Sequence, residues 1–155
     1  MRSFRDPSNW AEWVPALASG QPARSTWVEI GCNRSRGHVL IEGHRPGHKS
    51  VFAAITAGAA LEVIGGLRYR LRHAVTVPAF GTGLEEREFT VVDPGDDSAV
   101  LTIVNRFGSL GSWSIHADRI PELSWALKHA HTLAAEQPWN AEAATPAAAS
   151  ALGGA

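Results

Sequence analysis

Three arginines at alternate positions, Arg68, Arg70 and Arg72, have the spacing that speaks most directly to chemistry in this chain. Alternate side chains of a strand share one face, so such a row would align three guanidinium groups able to track a phosphate backbone. Arg34 and Arg36 in a turn, with Trp27 and Tyr69 on strands, would add cations and stacking surfaces, the combination that holds single-stranded nucleic acid. The same alternation also describes the solvated face of a half-buried strand, paired with acids such as Glu85, Glu86 and Glu88.

Histidines form the second group. His38, His44 and His48, with Glu42 among them, are zinc-ligand types, but Arg45-Pro46-Gly47 removes the helical i, i+4 geometry and Cys32 is the sole thiol. The segment reads as a histidine-rich loop, and no metal or cofactor is expected. His116 and Asp118, with His129 and His131, offer a general base and an orienting carboxylate. No nucleophile is fixed beside them, and Asp118 reads better as a helix cap. Cys32, at the end of an apolar strand, reads as a small buried hydrophobe. Gly81-Thr82-Gly83 and the 108–111 segment lack the later glycine and lysine, or the helix, of a phosphate loop.

These residues need elements to carry them. Trp10, Trp13, Val14 and Leu17 recur at helical spacing after Pro7-Ser8-Asn9, predicting a short N-terminal helix that ends at Gly20. Residues 26–32 and 38–42 alternate about the turn 34–37 and predict a hairpin. The apolar, alanine-rich run 49–64, closed by Gly65-Gly66, predicts a buried helix, after which the period switches from 3.6 to 2 and predicts a long strand over 67–77. Strands are expected at 88–92, 99–105 and 112–116, then a helix over 118–136 with Leu123, Leu127 and Ala130 on its apolar side. Trp113 and Trp125 are expected in the core, leaving Trp10, Trp13 and Trp139 for a protein contact. The fold class is therefore α+β: a largely antiparallel sheet of about six strands, two main helices on one face and a short N-terminal helix.

A chain of 155 residues suits one domain, assigned to 1–137, with an Ala-rich tail over 138–155 that has too little to bury and is expected to be disordered. Net charge of -1, from 14 Lys plus Arg against 15 Asp plus Glu, excludes a binder of nucleic acid that works by global charge alone. One cysteine and the absence of an opening basic-then-apolar leader point to a cytoplasmic location. The longest apolar stretch, 50–67, is interrupted by Glu62 and three glycines and falls short of the roughly 20 residues of a membrane span, so a membrane partner is not expected.

The three strands over 88–116 followed by the helix over 118–136 resemble the sheet-then-helix unit of PC4- and PUR-like single-stranded nucleic-acid binders, and depart from it in lacking a basic meander, with Arg87 and Arg106 alone as basic residues there. Size, the arginine-over-lysine bias and the Ala-rich tail resemble the small accessory, spread-type proteins of actinobacterial plasmids and mobile elements. These resemblances imply a non-enzymatic accessory protein of plasmid transfer or maintenance. It would act through protein or single-stranded nucleic-acid contacts, as a homodimer joined by sheet edges or tryptophan-bearing helices. The competing reading is a small enzyme or small-molecule binder with a histidine-containing pocket between sheet and helices.

Overall fold

The computed structural model describes residues 10–18, 26–33, 36–68 and 74–136. Among them the strands are β1 (Trp10–Pro15), β2 (Leu17–Ala18), β3 (Trp27–Asn33), β4 (His38–His44), β5 (Val51–Thr56), β6 (Val75–Phe80), β7 (Glu86–Val92), β8 (Ala99–Asn105) and β9 (Gly108–Ile115). The helices are α1 (Ala57–Arg68), between β5 and β6, and α2 (Ile120–Ala135), which follows β9 through a single 3-10 turn. The chain is α+β, with one antiparallel sheet of eight strands extended by the two-residue β2, against about six expected, because β1 and β5 lie in segments that the sequence predicts as helix.

Sheet order is β1-β3-β4-β5-β6-β7-β8-β9-β2. Because β1 and β2 are successive parts of one segment, residues 10–15 pair with β3 while Leu17 and Ala18 pair with Ser114 and Trp113 of β9, and the sheet closes on itself. Closure leaves less edge open to strand addition. It also occupies the backbone of 10–18, where the sequence predicts a helix. Pro15 is incompatible with a helix interior, and full register of Trp10–Pro15 with Cys32–Trp27 satisfies the same amides in a ladder.

The run 49–64 divides into β5 and the start of α1. Strands covered on both faces lose their alternation, and β5 buries Val51, Ala53, Ala54 and Ile55, so an apolar run of this kind reads equally as a buried helix. Gly65 and Gly66 sit inside α1 and do not end it. Gly66 is there for space: a methyl on it would lie 2.7 Å from Cγ2 of Val75. The helix runs on to Arg68, so the strand expected from 67 starts at Val75.

One face of the sheet carries Val28, Ile30, Val39, Ile41, Val77, Phe89, Leu101, Ile103, Trp113 and Ile115, in a single core with the buried residues of both helices. Helix α2 contributes Leu123, Ala126, Leu127, Ala130 and Ala134, a stripe at helical spacing whose alanines let it lie close to α1 and β3. Burial of each of the two leucines is worth about 2 kcal/mol. Strands β5 and β6 share one aligned pair, Ala54 with Phe80, and α1 packs against both where they diverge. Elsewhere the two halves of the sheet touch directly. Trp113, 1 % exposed, lies against Gly43 and Gly111, its Nε1 donates to the carbonyl of His44 at 3.2 Å, and Arg45 donates to the carbonyl of Leu110 at 3.1 Å.

Candidate functional site

The β3–β4 hairpin builds the site. Its register sets Trp27 opposite His44 and Glu29 opposite Glu42, while Val28, Ile30 and Ile41 alternate onto the core face. Both glutamates therefore face away from the helices, yet Glu29 is 0 % and Glu42 3 % exposed. Carboxyl groups set opposite one another out of water are costly unless each finds hydrogen-bonding or ionic partners. Among the described residues the Ser50 hydroxyl offsets part of this cost at Glu42, while His44 Nε2 stands beyond hydrogen-bond distance of both carboxyl groups. His44 Nε2 lies 3.6 Å from Oε1 of Glu29 and 3.9 Å from Oε1 of Glu42, and Ser50 Oγ donates to Glu42 Oε1 at 2.7 Å. Trp27 stacks on the His44 ring, with centroids 4.9 Å apart and planes 13° from parallel.

Beside this pair a cleft of about 410 Å³ opens over β4 and β5, lined among others by Glu42, Ser50, His38, Arg36, Phe52 and Arg87. Leu40, Ala54 and Phe52 form its apolar floor, a second small cluster separate from the main core. His38 stacks on Phe80 at 6.1 Å, and burial, with the Arg36 charge adding to it, lowers its pKa below the ordinary 6.5. Its imidazole is neutral at pH 7 and presents one donor and one acceptor. Arg87 is anchored at the wall through the carbonyl of Phe52 and through Glu85. The turn residues Gly81, Thr82 and Leu84 form the opposite rim, Leu84 in the left-handed region at φ 64°.

Contact order within the cluster bears on its chemistry. A serine nucleophile needs its hydroxyl on a histidine that is oriented by a carboxylate. Here Ser50 donates to Glu42 Oε1 and not to a histidine, and His44 Nε2 lies 3.9 Å from that same oxygen. Cys32 is buried on the core face of β3, away from this group. Among the described residues no three His, Cys, Asp or Glu side chains are grouped to hold a metal ion.

The arginine row expected on a strand does not begin there, because Arg68 is the last residue of α1. Arg70, Arg72 and Arg34 lie outside the described residues. Arg36 is exposed in the β3–β4 turn at the rim of the cleft, and Trp27 stacks on His44, so the sequence-derived nucleic-acid set contributes these two residues to the hairpin that builds the site. Of the histidines, His38 and His44 share a face of β4 with Glu42, whereas His48 is exposed in the following turn.

The second histidine group does not converge. His116 and Asp118 are both exposed, and the His116 ring accepts the Asp118 amide, making His116 the cap of the 3-10 turn where Asp118 was expected as the helix cap. His129 stacks on Trp125, and His131 reaches the carbonyl of Ala57 at the start of α1. Trp125 is 53 % exposed, contrary to its expected place in the core, because the stripe of α2 that meets the sheet runs through Leu123, Ala126 and Leu127. The facing of Glu29 and Glu42 was available in principle: a hairpin turning at 34–37 aligns them, and each is the charged residue in an otherwise apolar strand.

Comparison with protein-family models, with curated proteins and with solved structures finds no match for this chain. No helix among the described residues is long and apolar enough to cross a membrane.

Proposed function

We propose that this chain is a small-molecule-binding protein whose ligand occupies the cleft over β4 and β5. The observation that carries the reading is the cleft itself, about 410 Å³ with an apolar floor and polar groups of both signs converging on it. Ligand sites typically have volumes of roughly 300–1,000 Å³ and few polar groups, placed to orient the ligand. Glu42 and Ser50 fit a donor or cationic end, Arg36 fits an acceptor or anionic end, and neutral His38 fits either. A zwitterion with an apolar body, such as an amino carboxylate, matches that pattern. The site differs from the pocket expected between sheet and helices: it lies on the sheet face that the helices leave.

Binding is favoured over catalysis by the contact order of Ser50, Glu42 and His44, which activates no nucleophile. A thermal-shift screen with free amino acids and ω-amino carboxylates tests the reading. Wild type is expected to gain thermal stability with at least one member, and Glu42→Gln and Arg36→Gln to lose that gain relative to their own unliganded baselines. Thr102→Ala, on the far part of the same face, serves as the control. Absence of any shift across the panel, or an equal shift in the Glu42 and Arg36 variants, refutes the proposal.

A further inference from the structure

A second surface lies on the outward face of β6, β7 and β8, where a groove of about 900 Å³ is lined by Pro78, Phe80, Val104, Phe107, Glu86 and Glu88 among others. Register places Glu88 between Pro78 and Val104, and Glu86 beside Phe80. The neighbouring row on the same face consists of paired hydroxyls, Thr76 with Thr90 at 3.1 Å and Thr102 with Ser112 at 2.9 Å, as a solvated sheet face should have. The apolar residues are thus confined to one end of the face.

Phe107 is 82 % exposed at the tip of the β8–β9 hairpin. Its amide donates to Asn105 Oδ1 at 2.8 Å, Gly108 supplies the left-handed φ of 130° that the turn requires, and the Arg106 guanidinium lies 4.8 Å from the ring centroid. The ring is held out by a fixed turn, so seating a partner on it costs little ordering entropy. Of the acids around it, Glu85 is engaged by Arg87 and by the Gly83 amide, while Glu86 and Glu88 are exposed carboxylates bordering the apolar strip.

We infer that this groove docks a basic amphipathic helix of a partner protein, its apolar side on Phe107, Phe80, Pro78 and Val104 and its lysines or arginines beside Glu86 and Glu88. Charge complementarity selects this occupant. Arg87 is held by Glu85 and the Arg106 guanidinium lies over the Phe107 ring, so Glu86 and Glu88 give the strip its charge, and a second copy with its two-fold axis at Glu88 would bring those carboxylates together. An apolar helix without cations would leave them desolvated and unpaired. The interaction mode is a helix laid into a groove, with the aromatic group as anchor and the charges setting orientation.

The probe is a fluorescein-labelled Leu/Lys peptide patterned as an amphipathic helix, titrated with the full chain by fluorescence anisotropy beside its Leu/Glu counterpart. Phe107→Ser and Glu86→Lys with Glu88→Lys are the variants, and their exposed positions leave the core intact, which circular-dichroism melts check. The Leu/Lys peptide is expected to bind, to weaken about tenfold or more in each variant, and to weaken with salt. The Leu/Glu peptide is expected not to bind. Failure of the Leu/Lys peptide to bind, equal binding of both peptides, or affinity unchanged by both variants overturns the inference. So does a dimer in sedimentation velocity that Phe107→Ser dissolves, which would assign the groove to a second copy.

Discussion

Substituting alanine for Gly43 tests how the two halves of the sheet are held together. Gly43 lies in β4 with no left-handed φ, so its backbone would accept alanine, and removing a strand glycine by itself gains up to about 1 kcal/mol. Space decides otherwise. A methyl at Gly43 would sit within 3.0 Å of the Trp113 indole, and a methyl at Gly111 would meet the same ring. The ring is further tied by its hydrogen bond to the His44 carbonyl, and β4 is paired on both sides by β3 and β5. Overpacking of this kind costs about 1–3 kcal/mol, and contacts as close as these with a tethered indole belong at the upper end, leaving a net loss of about 2 kcal/mol. For a domain of this size the melting temperature should fall by roughly 4–8 °C. Gly65→Ala is the matched comparison: it lies inside α1, a methyl there meets nothing within 4 Å, and it should stabilise by about 1 kcal/mol. Urea titrations of both variants, and of Gly43→Ala with Trp113→Phe, give the coupling between glycine and ring. If Gly43→Ala proves as stable as Gly65→Ala, the contact between the halves is not where the geometry puts it.

Three further outcomes follow from the site and its rim. Glu29→Gln removes one of two facing buried carboxylates at nearly constant volume and should raise stability by about 1 kcal/mol in urea titration, whereas Glu29→Ala, which also leaves space, should not. For His38 the folded pKa is lowered, chiefly by burial, so the unfolded chain takes up its proton first as pH falls through 6.5; stability should decline below that value and level off beneath the folded midpoint. Histidine NMR titration locates that midpoint, and His38→Gln should flatten the dependence. Leu84 holds φ 64° in an exposed turn, so Leu84→Gly should relieve strain and stabilise by about 0.5–1 kcal/mol in a thermal melt, and a loss of stability would refute the strain.

The sequence alone was sufficient where local signals agree. Alternation and turn residues place the β3–β4 hairpin, the strands β7 and β8, the second half of β9, and helix α2, because each has a period and a punctuated end; 108–111, expected as a turn from its two glycines, is the first half of β9. It also determines that Glu29 faces Glu42, once the hairpin turn is located. Three matters were decided only by tertiary structure. The segment 10–18 has helical spacing of its tryptophans, but pairing with β3 and β9 satisfies its backbone and closes the sheet, an energy that no local window contains. The apolar run from 49 splits into strand and helix because β5 carries apolar residues on both faces, one in the main core and one in the cleft floor, which erases the period that separates the two. The grouping of Glu42, Ser50, His38 and Arg36 around one cleft arises because β3, β4 and β5 lie side by side and the β6–β7 turn reaches across to them, contacts between residues far apart in the chain that spacing does not encode.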